Sequence, residues 1–291
     1  MYAQYPLFGG CKFRPFLLYL DLAKNVRLLI ISGFCGWPDD THGKWFYMVY
    51  PMKYLNYKFL LWVIVAILLA SCAAQYETSY RFHDTFDAGS ADWVAGFADL
   101  PADYEPDFFA LDSGWGELPS GLAGNAIYIR GNNHSDDLFM YFQKHITGLR
   151  PNTLYQVQFE IELASNTPAG LMGIGGSPGE SVYVKAGAVS HEPEIISDSI
   201  DWLRIDIDKG NQASEGEDML NLGTLANPNI DLGTFTGEEY ALMDLDNQDS
   251  PFGVTSDEDG SIWVMIGSDS GFEGPTTVFY HSIDITLTEE E

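Results

Sequence analysis

Residues Leu154–Leu163 read LYQVQFEIEL. Tyr155, Val157, Phe159, Ile161 and Leu163 alternate with Gln156, Gln158, Glu160 and Glu162. Successive side chains of a strand point to opposite faces, so this stretch is a strand with one apolar and one polar face, half-buried against a second layer. Near the C-terminus the pattern returns. Phe279, His281, Ile283, Ile285 and Leu287 are expected on one face and Tyr280, Ser282, Asp284 and Thr286 on the other. That places His281 in the core as a hydrogen-bonded histidine.

Further strands are expected at 80–86, 108–112, 126–130, 138–145, 181–188, 202–207, 240–245 and 262–267. Ile262–Ile266 is apolar on both faces and therefore central, and Asp259-Gly260 before it signals a hairpin turn. Met219–Leu225 reads as one short helical turn inside 208–239, a polar loop long enough to be functional or disordered. About ten strands separated by turn residues, with no sustained helical period, predict an all-β protein built as a single jelly-roll-like β-sandwich.

Met52–Cys72 (MKYLNYKFLLWVIVAILLASC) has a different character. Lys53 and Lys58 precede an uncharged run of 12 residues, Phe59–Ala70, and small residues follow. That run is short of the roughly 20 residues that span a bilayer, and the layout is that of a secretory signal. Residues 1–51 show no sustained period of 2 or 3.6 and are followed directly by a second start signal, Met52-Lys53. They read as sequence upstream of the true start, with no domain.

Charge changes at the same boundary. Residues 73–291 hold 7 Lys+Arg against 39 Asp+Glu, a net charge of −32. Such a surface repels nucleic acid and anionic headgroups and favours cations, cationic partners or neutral ligands. Of Cys11, Cys35 and Cys72 only the last would survive processing, so the exported part is expected to lack disulfides and thiol chemistry.

Two resemblances add to this reading. Leu69-Ala70-Ser71-Cys72 resembles the lipobox of bacterial lipoproteins. The resemblance implies a signal peptide over 52–71, a lipid on Cys72, a tether over 72–79 and a β-sandwich over 80–288 anchored to a membrane of the cell envelope. Ala73 is not the Asp that tends to retain such proteins in the inner membrane, which favours the outer membrane in a Gram-negative cell. FDAGSADWVAGF, GLRPNTLYQVQFEIEL and VFYHSIDITL resemble segments of galactose-binding-like and carbohydrate-binding jelly rolls. Those families often hold a structural Ca²⁺ between first and last strands; on that analogy Asp84, Asp87 and Asp284 are its candidate ligands. The loops GNNHSDD and SDSGFEG are similar to loops of uncharacterised exported bacterial proteins, a likeness that brings no activity with it.

The densest polar cluster is Gly131–Asp137, on a loop between strands. His134 with Asp136 or Asp137 suits an acid–base pair or a metal site, and Asn132 and Asn133 suit ligand hydrogen bonding. The same residue types also make ordinary turns. Trp115, in DSGWGE, offers a flat ring to a sugar face or a lid over the end of the sandwich. Ser268-Asp269-Ser270-Gly271 lacks the elbow of a serine nucleophile and reads as a strand end. Gly173–Gly179 has Pro178 where a phosphate loop needs glycine, which excludes nucleotide binding.

The leading expectation is non-catalytic binding of a neutral ligand, with a carbohydrate the favoured class and Trp115, Asn132, Asn133, His134, Asp136 and Asp137 as ligand-binding candidates. The alternatives are an envelope hydrolase using His134 with Asp136 or Asp137, and an assembly protein docking through its acidic surface.

Overall fold

The computed structural model describes the backbone of strands within residues 5–51, together with residues 78–290, and the chain divides into two units. In the first unit β1 (Tyr5–Leu7) pairs with β2 (Cys11–Phe13). A meander of β3 (Phe16–Leu22), β4 (Val26–Cys35) and β5 (Lys44–Pro51) forms a second antiparallel sheet. The pattern of 1–51 gave no expectation of these strands. The expected signal peptide, Cys72 and the start of the expected tether lie outside the described residues.

The second unit is all-β. Its strands are β6 (Ser79–Thr85), β7 (Val94–Ala98), β8 (Leu100–Pro101), β9 (Asp112–Glu117), β10 (Asn125–Asn132), β11 (Leu138–Ile146), β12 (Leu154–Ser165) and β13 (Val182–Val189). There follow β14 (Ile195–Ser197), β15 (Trp202–Ile205), β16 (Met219–Thr224), β17 (Ala241–Asp246), β18 (Gly253–Thr255), β19 (Ile262–Ser270) and β20 (Pro275–Glu289). A seven-stranded antiparallel sheet in the order β17-β12-β20-β10-β9, with β18 on β12 and β6 on β20, packs against a five-stranded sheet, β16-β13-β19-β11-β7. As expected, Ile262–Ser270 is the central strand of its sheet.

The core lies between the sheets. Ile127, Ile129, Phe159, Ile161, Ile283 and Ile285 of one sheet meet Met140, Phe142, Val184, Val264 and Ile266 of the other, all buried. Each such large side chain contributes about 1.5–3 kcal/mol by leaving water. A turn forms at Asp259-Gly260, where Asp257 accepts from the backbone N–H of Asp259 at 3.0 Å and of Ser261 at 2.7 Å. It is not the hairpin expected: β18 before it pairs with β12 in the seven-stranded sheet and β19 after it with β11 and β13 in the other, so the turn carries the chain from one sheet to the other.

Three local expectations are corrected. First, β20 does not keep one period along its length. It pairs with β10 up to Tyr280 and with β6 from Ser282, and its register against β12 skips His281. A bulge inserts one extra residue and reverses the faces beyond it. Val278 and Tyr280 therefore share the core face with Ile283, Ile285 and Leu287, while Phe279 and His281 point out. His281 makes its Nδ1 contact with the Asn125 carbonyl, at 2.9 Å, at the start of β10.

Second, 108–112 is not one strand. Pro106 opens a single helical turn, α1 (Pro106–Phe109), which Ala110 ends in the left-handed region (φ 48°), and β9 begins at Asp112. Proline suits a first helical position because its fixed φ is helical and its missing N–H would have no partner there. Third, Met219–Thr224 is a strand, because β13 offers it a paired edge.

The two outer faces differ. Over the five-stranded sheet lies a third layer, a small sheet of β14, β15 and β8. Ile205 and Ile207 from this layer pack on Phe139, Tyr141, Met219 and Met265. Trp263, in the strand whose residues are apolar on both faces, lies on this outer side and stacks on His145 at 4.6 Å.

Candidate functional site

The outer face of the seven-stranded sheet carries an open cleft of about 590 Å³. Register builds its floor. Arg130 of β10 stands opposite Asp112 of β9 and Thr277 of β20, which makes a polar row across three strands. The next row is Gly114, Tyr128 and Phe279. Arg130 Nη2 pairs with Asp112 Oδ2 at 2.8 Å while both side chains remain substantially exposed. Asp107 and Leu111, from α1 and the turn after it, form part of the rim with Asn132.

An aromatic group borders the polar row. Tyr128 and Phe279 lie 5.9 Å apart between ring centroids, and Tyr240 meets Phe279 edge-on at 5.5 Å. Gly114 makes room for this arrangement: a Cβ there would lie 2.8 Å from the Tyr128 hydroxyl oxygen and 2.9 Å from its ring carbon. These half-buried rings stand one row beyond the residues that line the cleft, so its donors and acceptors adjoin an aromatic surface, an arrangement suited to binding a polyhydroxylated ligand.

The sequence-predicted residues divide among different places. Asn132 joins the cleft and hydrogen-bonds His134 Nε2 at 2.7 Å. His134 stacks on the exposed ring of Phe108 at 3.8 Å and contacts the Phe108 carbonyl at 3.1 Å. Among the described residues no carboxylate lies within hydrogen-bond distance of His134, so the acid–base pair with Asp136 or Asp137 is not assembled.

Asn133 is buried and ties loops together. Its Nδ2 donates to the carbonyls of Ser270 at 2.7 Å and Phe272 at 3.0 Å, and its Oδ1 accepts from the backbone N–H of Ser135 at 3.0 Å. Asp136 adopts a left-handed φ of 61°, and its carbonyl accepts from Gln212. Trp115 stands opposite the buried Ile127, hence on the inner face at the sheet edge. Its indole N–H donates to the Phe86 carbonyl while the ring stays 46% exposed. It closes the end of the sandwich rather than lining the cleft.

Nor does the structure bring the three candidate calcium ligands together. Asp84 stands opposite Ile283 on the core side, where it takes Lys144 Nζ at 2.6 Å and the Trp93 indole N–H at 3.0 Å. Asp284 stands one position along, on the opposite face, paired with His83 at 2.8 Å. Asp87 contacts Thr85 instead.

Sequence reasoning missed Asp112, Arg130 and Thr277, which lie in three separate strands and meet only through register. It also missed a buried ionic cluster on the covered face of the other sheet. Asp99, Asp137 and Asp269 have carboxylate oxygens within 4.8 Å of one another. Lys209 Nζ lies 2.7 Å from Asp269 and 2.9 Å from Asp99, Arg204 lies 2.6 Å from Asp99 and 3.5 Å from Asp137, and Lys185 lies 3.3 Å from Asp269. Three acids among three bases leave little demand for a bound cation. The available signal was polar Ser268-Asp269-Ser270 continuing a strand apolar on both faces.

No protein-family model matches the chain, and no curated protein matches it. Several solved structures are similar at low identity. A carbohydrate-binding module described for specific mannan recognition, TmCBM27, is 12% identical, with a TM-score of 0.35 over 75% of this chain and 99% of its own. A module solved with β-1,4-galactotriose, TmCBM61, is 11% identical, with a TM-score of 0.31 over 71% and 94%. The enzymatically active domain of tailspike protein 4 of bacteriophage CBA120 is 11% identical, with a TM-score of 0.29 over 67% of this chain. The chain spans only 19% of that tailspike's length. Likeness at this level carries neither ligand nor activity to the chain, whose site rests on its own geometry.

Proposed function

We propose that the β-sandwich is a non-catalytic module binding a neutral carbohydrate in the cleft over β9, β10 and β20, on a protein held at the cell envelope by a lipid on Cys72. The observation that carries the reading is the row Asp112–Arg130–Thr277 on the floor of an open cleft beside the Tyr128–Phe279 rings. Sugar hydroxyls both donate and accept, and the exposed Arg130–Asp112 pair offers both roles at fixed spacing. Sugar C–H faces suit aromatic rings. A net charge of −32 over residues 73–291 disfavours anionic polymers.

Binding of the exported part to a panel of neutral glycans, measured by calorimetry, tests the reading. Arg130→Ala removes a charged hydrogen-bond partner worth about 1.5–3 kcal/mol, so affinity is expected to fall about 10- to 100-fold while the fold survives. No binding to any glycan, with or without Ca²⁺, refutes the module. The anchor is tested separately: radiolabelled palmitate is expected to enter the full chain in cells and to be lost in Cys72→Ser.

A further inference from the structure

We propose that Lys185 and Asp269 condense to an intramolecular amide, a self-made covalent cross-link between β13 and β19. Both side chains are fully buried on the covered face of the five-stranded sheet, in adjacent strands and on the same side. Lys185 stands opposite Gly267, so no side chain separates its stem from Asp269, two residues along β19 and on the same face. The inference is independent of the carbohydrate reading.

The groups around the pair are those that amide formation needs. Lys185 Nζ donates to the carbonyls of Lys209 at 2.7 Å and Ser214 at 2.8 Å. A neutral amine has two N–H donors and one lone pair; with both donors so engaged, the lone pair is left for the carboxyl carbon of Asp269, whose Oδ2 lies 3.3 Å from Nζ. Burial pushes the Lys185 ammonium down from its usual range, against the opposing pull of Asp269, and so favours that neutral form. Lys209 is the other amine nearby. Burial works against its charge too, but Asp269 and Asp99 outweigh burial and hold it above its usual range, so it stays an ammonium.

Asp269 is prepared as the electrophile. Its Oδ2 accepts from Lys209 Nζ at 2.7 Å and from the Gln212 backbone N–H at 2.9 Å, two donors placed to stabilise charge developing on that oxygen. Its Oδ1 and Asp137 Oδ1 are both buried without a hydrogen-bond partner among the described residues. A proton on Asp137 would satisfy both. Burial first, then Asp99 and Asp269, push the Asp137 carboxyl up to about 7, against the pull of Lys209, so it carries that proton near neutral pH.

The step balances. The neutral amine attacks the Asp269 carboxyl carbon, the Nζ–Cγ bond forms and the Cγ–Oδ1 bond breaks. The departing oxygen takes one proton from Asp137 and one from the amine and leaves as water. Asp137 is left ionised beside Arg204 and Lys209. Fixing the reacting groups in one buried site supplies the effective concentration that the reaction lacks in water.

Composition points the same way. Three of the seven basic residues in 73–291, Lys185, Arg204 and Lys209, gather in this one cluster of a strongly acidic unit. Ion pairing alone gains little from burying so many charges together.

The test is made on the full chain, denatured, digested and sequenced by tandem mass spectrometry. A peptide pair joined through Lys185 and Asp269, one water lighter than its two parts, is expected in the wild type and absent from Lys185→Met and Asp269→Ala. Asp137→Asn, which keeps shape but removes the proton donor, should slow linkage about 100-fold or more. Wild-type peptides recovered separately at full mass overturn the proposal whatever the variants do. A link through Lys209 overturns the choice of nucleophile, and undiminished linkage in Asp137→Asn overturns its proton transfer.

Discussion

Tyr280→Phe should stabilise this protein. Tyr280 is fully buried between the sheets, its ring edge-on to Phe142 with centroids 6.0 Å apart. Among the described residues its hydroxyl has no hydrogen-bond partner, and burial pushes the phenol pKa upward. A buried hydroxyl without a partner costs about 1–3 kcal/mol relative to its hydrated state in the unfolded chain. Phenylalanine keeps the ring, the edge-on contact and nearly all of the volume, and it removes the orphan oxygen. The void left is smaller than a methyl group, so a net gain of about 1–2 kcal/mol is expected. For a domain of this size each kcal/mol moves the melting temperature by about 2–4 °C. Thermal melts should therefore rise by about 2–8 °C, and urea titrations should shift to a higher midpoint at an unchanged slope. An equal or lower melting temperature would refute the reasoning, because it would mean that the hydroxyl is satisfied in the native protein.

Two further outcomes follow from buried polar groups. Asn247→Ala should destabilise by about 3 kcal/mol in urea titrations, because it leaves the Phe159 N–H and the Val157 and Ser250 carbonyls without their partners at 2.7, 3.0 and 3.0 Å. The Asp137 carboxyl sits at about 7 in the fold against 3.8 for a free aspartate, so the native state holds its proton more tightly than the unfolded chain. That contribution to stability is fully present below about 3.8 and is lost as pH rises through about 7. This holds for the unlinked side chains, so the comparison is made in the Lys185→Met background: there Asp137→Asn should flatten the pH dependence of the urea midpoint over this window, and an unchanged profile would show that another group sets it.

Much of the architecture was legible because strand burial is written locally. LYQVQFEIEL alternates without a break, and Tyr155, Val157, Phe159, Ile161 and Leu163 are all buried, as their period required. Ile262–Ile266, apolar on both sides, took the central place, and Asp259-Gly260 made its turn. The β20 face was misread before its middle, at Phe279, Tyr280 and His281, because the bulge at His281 depends on where β10 hands over to β6, which the strand's own residues do not encode. In the predicted polar loop, Asn132 reached the cleft, while Asn133 became a buried tie between loops.

The sequence by itself determined an all-strand body with a strongly acidic surface and the positions of most strands, since side-chain period and net charge are properties of short stretches and of composition. Only the tertiary structure decided that Asp112, Arg130 and Thr277 form one row, that one outer face is covered and the other open, and that Asp99, Asp137, Lys185, Arg204, Lys209 and Asp269 share one buried site. Those outcomes depend on register and on pairing between residues up to 170 positions apart in the chain, from Asp99 to Asp269. A charge is buried only where partners from other strands arrive to meet it, and no local pattern records that meeting.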